Sequence, residues 1–158
     1  MKHINTNTTN IAKALRLITL ALLAAALCAS LIACSSPKTA KLDGYDGESF
    51  WEALENICER EEKEDGVKAK LTVEKGWDES EELDEDDLSK NEKAYSYIVV
   101  FSEDGEDLYA TYFFARLDEK SNTLEILSMR DVNLEYDYEW ETTDEDDIRS
   151  MLEYIMEG

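Results

Sequence analysis

Apolar side chains fall at helical spacing from residue 50, where Phe50, Leu54, Ile57 and Cys58 share one face with Trp51 beside it. Ser49 stands where a helix cap is needed, and Glu52 three positions on completes a capping box, so a helix is expected from Ser49 to about residue 62. After Asp65-Gly66 the period changes to two: Val67, Ala69, Leu71 and Val73 alternate with Lys68, Lys70, Thr72 and Glu74, which is the pattern of a half-buried strand. Residues 94–102 and 107–117 are rich in Tyr, Ile, Val and Phe and are joined by Asp104-Gly105, a strong hairpin signal. A polar turn at 118–122 leads into a fourth strand over 123–134. Thr142 or Thr143 can cap a last helix, whose first turn is acidic and whose Ile148, Met151, Leu152 and Ile155 form a buried stripe. Between Trp77 and Lys93 only Leu83 and Leu88 break a polar run, so an exposed loop is expected, with room for a helical turn.

This order predicts one two-layer α+β domain over 47–158: an N-terminal helix, a four-stranded antiparallel meander and a C-terminal helix, with the helices on one face of the sheet. In element order it resembles cystatin-like and NTF2-like domains. That likeness concerns the fold, implies a curved sheet, and carries no activity across. Residues 34–46 lack periodicity and read as a flexible tether after Cys34, about 40 Å long at most when stretched.

The first fifth of the chain is built differently. Lys2, Lys13 and Arg16 supply positive charge without any acid, and residues 17–33 form an unbroken uncharged run of Leu, Ala, Ile and small side chains. These are the charged and apolar regions of an export signal. The run closes on Leu31-Ile32-Ala33-Cys34, which resembles the lipobox of bacterial lipoproteins. The resemblance implies removal of residues 1–33, acylation of Cys34, with palmitate among the chains, and a lipid-anchored protein on the extracytoplasmic side of a cell membrane or outer membrane. Two other readings remain: an uncleaved membrane helix, for which this run is at the short limit, and ordinary cleavage after Ala24-Ala25-Ala26.

Charge separates the two parts further. All 38 acidic residues follow Cys34, against 13 of the 16 Lys and Arg, so the part beyond the leader carries a net charge of −25. Such a balance excludes nucleic acid as a partner, since phosphate contacts need clustered Lys and Arg. It also repels anionic head groups, so membrane attachment must come through lipid on Cys34. A basic envelope protein is the partner that the charge suits.

Candidate chemistry is sparse. The one histidine, His3, lies in the leader, which leaves no imidazole for a triad, a proton shuttle or a zinc site. Cys58 is the single thiol after Cys34 and cannot form an internal disulfide. The glycines at 44, 47, 66, 76, 105 and 158 show no phosphate-loop spacing. Paired carboxylates are unavoidable with 38 acids and so point to nothing, and neither 78–82 nor 84–87 has the glycine turn of a calcium loop. No enzyme activity, cofactor or metal is expected. Aromatics are the remaining signal: Tyr95, Tyr97, Tyr109 and Tyr112 on the central strands, Trp77 before the acidic loop, and Trp140 with Tyr136 and Tyr138 before the last helix. Aromatic anchors inside a charged rim suit protein recognition, so a non-catalytic binding module is the leading expectation. The alternative is a small-ligand carrier with an apolar pocket between helix and curved sheet, lined by Phe50, Trp51, Tyr97 and Tyr112.

The lipobox reading yields a direct expectation. In the native host, labelled palmitate is incorporated into the wild-type chain and not into Cys34→Ala, and that variant accumulates at precursor size on a gel.

Overall fold

The structure is a computed structural model that describes residues 35–45, 47–77 and 83–157. The expected signal peptide with Cys34, and the 78–82 part of the acidic loop, lie outside the described residues. Ser35–Gly158 forms a compact unit with its own hydrophobic core, which is what independent folding requires.

The elements are β1 (Lys41–Leu42), α1 (Phe50–Glu64), β2 (Lys68–Lys75), a single 3₁₀ turn (Glu85–Asp87), β3 (Glu92–Glu103), β4 (Glu106–Asp118), β5 (Thr123–Asn133), β6 (Tyr138–Thr142) and α2 (Glu145–Glu157). The domain is α+β, with two helices and one curled, mixed sheet. Strands β2 to β5 pair antiparallel in succession, as the alternation predicts. The expected four-stranded meander is nevertheless too small. Among the described residues the sheet has six strands, and both additions lie on the outer edge of β5. β1 runs parallel to its start, pairing Leu42 with Leu124, and β6 runs antiparallel to its end, pairing Trp140 with Asp131. β1 has too few residues to show a period. In β6 the alternation of Tyr138, Trp140 and Thr142 with Glu139 and Glu141 is legible as a strand only once β5 is known to have a free edge. Together the two additions cover an edge that would otherwise present unpaired backbone groups.

Of the stretch expected to be a flexible tether, residues 35–43 are docked on the sheet. Ala40 and Leu42 are buried, Lys41 N–H donates to the Asn122 carbonyl at 3.0 Å, and Asp43 N–H donates to that of Leu124 at 2.9 Å. The Asn122 side-chain amide donates to the Thr39 carbonyl at 2.9 Å, and the Ser35 hydroxyl donates to the Glu119 carbonyl. The polar composition of residues 35–43 carries no sign of this docking, because their partners are backbone groups far away in sequence.

Both helices lie on the same face of the sheet. Ser49 caps α1 as expected, its hydroxyl accepting from Glu52 N–H at 3.2 Å. The cap of α2 is Asp144, neither Thr142 nor Thr143: its carboxylate accepts from the N–H groups of Asp146 at 3.0 Å and Asp147 at 3.2 Å. Thr142 instead holds Asp144 in place, its hydroxyl accepting from Asp144 N–H at 3.0 Å. Phe50, Leu54 and Cys58 of α1 and Ile148, Leu152 and Ile155 of α2 meet Tyr97, Val99, Phe101, Phe113, Leu117, Leu124 and Met129 in one core. The rings of Phe50 and Tyr97 meet edge to face at 5.1 Å, and those of Phe50 and Phe113 at 5.4 Å.

The opposite face of the sheet carries a smaller cluster. Trp77 Nε1–H donates to the Ala115 carbonyl at 3.0 Å, the Ser96 hydroxyl donates to the Gly76 carbonyl at 2.7 Å, and the Arg130 guanidinium lies over the rings of Tyr112 at 4.7 Å and Phe114 at 5.3 Å. Gly76 turns the chain onto this face at φ +95°, where a Cβ would also come within 3.0 Å of Glu85 Oε1.

The β3–β4 hairpin turn follows the expected chemistry. Asp104 and Gly105 both take positive φ, at 52° and 89°, which gives the primed turn that matches the twist of β3 and β4.

Phe50 is fully buried and touches two strands, so Phe50→Ala is expected to lower the unfolding free energy by about 3–5 kcal/mol, read from urea denaturation of residues 35–158.

Candidate binding surface

The six aromatic residues expected to bind do not share a surface. Tyr97 is closed within the core, with 0% exposure, and its hydroxyl donates to the Pro37 carbonyl. Tyr95, Tyr109 and Trp140 lie on the helix side of the sheet, with Tyr95 opposite Ala115, far along β3 from the other two. Trp77 and Tyr112 lie on the opposite face. Phe50, Trp51, Tyr97 and Tyr112 likewise enclose no common cavity: Phe50 and Tyr97 are fully buried against each other, and Tyr112 is on the far side.

What the fold does bring together lies where β3 turns into β4 and β5 turns into β6. Four large apolar or aromatic side chains are exposed there and on the adjoining helix: Tyr136 at 72%, Tyr138 at 59%, Tyr154 at 54% and Leu134 at 51%. Tyr154, Met151 and Trp140, with Asp147 and Ser150, form an open shelf along α2 of about 390 Å³. Met151 and Tyr154 also line a groove of about 230 Å³ between the two helices and the sheet, walled by Leu54, Ile57, Val99, Phe101, Phe113 and Ile155. Tyr109, Thr111, Glu61 and Asp131 are its polar members, beside the Tyr154 hydroxyl at the rim. The Arg60 side chain ties the rim together, donating to the Tyr154 hydroxyl with its guanidinium 5.0 Å from that ring and 3.6 Å from Glu61.

Two β-bulges shape this end. An extra residue, Leu108, separates Tyr109 from Asp107, and Leu127 is extra between Ile126 and Ser128. The second bulge matters more. It lets Ile126 and Met129 both face the helices at a spacing of three, and so carries Asp131 onto the apolar side of the sheet. One oxygen of that carboxylate, Oδ1, is buried without a hydrogen-bond partner. Strict alternation from Thr123 would have turned Asp131 outward, which is why the residue drew no attention as a candidate. Tyr154 was missed for a different reason, since it stands beside the Ile148, Leu152 and Ile155 stripe rather than on it.

The field here is negative. Burial pushes the Tyr109 hydroxyl above its ordinary value, with Glu61, Asp65 and Asp131 adding to the shift. Burial and the Glu62 carboxylate push the Cys58 thiol up to about 11. Among the described residues no three His, Cys, Asp or Glu side chains converge as a metal site would require, and no helix is long and apolar enough to cross a membrane. Of the remaining acidic loop, Asp84 caps its own turn, its carboxylate accepting from Asp86 N–H at 2.9 Å.

Compared with known proteins, the chain matches no family model, no curated protein and no solved structure.

The thiol supplies a test of this end of α1. Cys58 should resist a thiol reagent at pH 8 in the folded protein and react at once in urea. Between its ordinary value of 9.0 and about 11 the unfolded chain loses the thiol proton and the folded chain keeps it, so this contribution to stability falls as pH rises through that window.

Proposed function

We propose that the protein is a lipid-anchored envelope lipoprotein whose acidic domain is a non-catalytic module that binds a basic protein partner. The observation that carries this reading is the run of exposed aromatics at one end of the sheet, set among carboxylates. Tyr136, Tyr138, Tyr154 and Trp140 offer broad, rigid contact area at little entropic cost, and Glu61, Asp131 and Asp147 beside them favour a cationic partner. A net charge of −25 would draw such a partner in from a distance and turn away anionic surfaces.

The direction of β5 supports the same arrangement. Its first residue lies beside Ser35 and the β4–β5 turn, and its last leads into the aromatic hairpin. The lipid on Cys34 would therefore sit at one end of the sheet and the aromatics at the other, roughly 35 Å away for a strand of 11 residues. The scaffold is read as the two-layer, helix-on-curled-sheet kind found in cystatin-like and NTF2-like domains, with no activity carried over from them.

The test is retention of proteins from the host's own envelope extract on immobilised residues 35–158. One dominant basic protein, identified and then purified, is expected to bind at low salt, to weaken by at least about tenfold when ionic strength rises from 0.05 to 0.5 M, and to bind the Tyr136→Ser, Tyr138→Ser double variant about tenfold more weakly. Both positions are exposed, so the variant should fold. No retained protein at either salt, or one indifferent to the double variant, refutes the proposal.

A further inference from the structure

The groove between the helices has a chemistry more specific than the surface around it. Its walls are hydrocarbon and aromatic: Leu54 and Ile57 from α1, Met151 and Ile155 from α2, Phe101 and Phe113 from the sheet. Such walls favour an apolar occupant. Within them, however, stands Asp131, with Oδ1 buried and without a hydrogen-bond partner. A buried acceptor left unpaired costs stability, and more so when it belongs to a carboxylate. The cation at the rim, Arg60, is engaged with Tyr154 and Glu61.

We propose that this groove is a lysine pocket, in which the tetramethylene stem of a partner's lysine lies between Ile57, Met151 and Phe101 and its ammonium meets Asp131. Amphipathic side chains bury their stems and keep the charged head paired, which is what the groove offers. Lysine fits these walls better than arginine because its four methylenes end in a compact ammonium, whereas a planar guanidinium would bring five N–H donors into a groove with few acceptors. The proposal deepens the reading of a basic partner and relies on it for the source of the lysine, but not for the chemistry of the pocket.

The pocket can be tested without the partner. Residues 35–158, labelled at methyl groups, are titrated by NMR with N-acetyl-lysine methylamide and, in parallel, with the norleucine and arginine derivatives. The lysine derivative is expected to shift the methyl signals of Ile57, Met151 and Ile155 saturably, and to bind at least about fivefold more tightly than either of the others. Asp131→Asn should weaken it about tenfold, the loss of one charge-assisted hydrogen bond. Glu103→Gln, an equal change of charge at an exposed site on β3, should alter it less than about twofold. A melting curve establishes that Asp131→Asn is folded; if it is not, the comparison of lysine with norleucine on the wild type decides alone. Equal binding of norleucine, equal binding of arginine, or indifference to Asp131→Asn overturns the proposal. The two readings fail separately. Lysine binding with no envelope protein retained leaves the pocket standing and removes the partner, whereas a retained basic protein with no lysine binding removes the pocket alone.

Discussion

Phe50 is the residue on which the rest of the domain depends. Its backbone N–H donates to the Ala40 carbonyl at 3.3 Å, its ring stands edge-on to Tyr97 and Phe113, and it opens α1 one residue after the Ser49 cap. One residue thus joins the N-terminal segment, the first helix and the two longest strands. Helix position follows from it: with Phe50 wedged between β3 and β4, Leu54 and Cys58 fall onto the same face by periodicity, and Ile57 is turned toward α2.

A chain with 38 acids and 16 Lys and Arg folds only if repulsion is kept in water. The domain does so by lining its core almost wholly with hydrocarbon and rings, and by placing its carboxylates on loops, helix exteriors and strand edges. Where cations enter the sheet they are held closely. Arg116 pairs with Glu125 and lies 3.5 Å from Glu92, and Arg130 is sandwiched against Tyr112 and Phe114 with Glu139 at 3.6 Å. Asp131 departs from this rule, an acid on the apolar face. Departures of this kind concentrate at functional sites, where one local preference is given up for another purpose.

The legible parts of the sequence were those with a period. Both helices, the four long strands and the Asp104-Gly105 turn follow from spacing and turn chemistry. β1 was hidden because two residues carry no period, and docking of residues 35–43 was hidden because its hydrogen bonds run to Glu119, Asn122 and Leu124. The candidate surface was legible in part. Tyr109, Trp140, Tyr136 and Tyr138 were singled out and do lie at one end of the sheet, but Tyr97 was a core residue, and Trp77 and Tyr112 belong to the other face. Asp131 required knowledge of the Leu127 bulge, which a single sequence does not announce, since one extra residue inverts every later inward and outward position.

The pinned N-terminal segment changes how such a domain would stand. On the proposed lipid anchor, one peptide link separates the acyl-bearing residue from Ser35, whose side chain is already fastened to the β4–β5 turn. A long leash would let the domain swing through a hemisphere and meet partners at any height and angle. On that proposed anchor a leash this short would narrow the swing, and the aromatic tip would meet partners within a shallower layer above the bilayer.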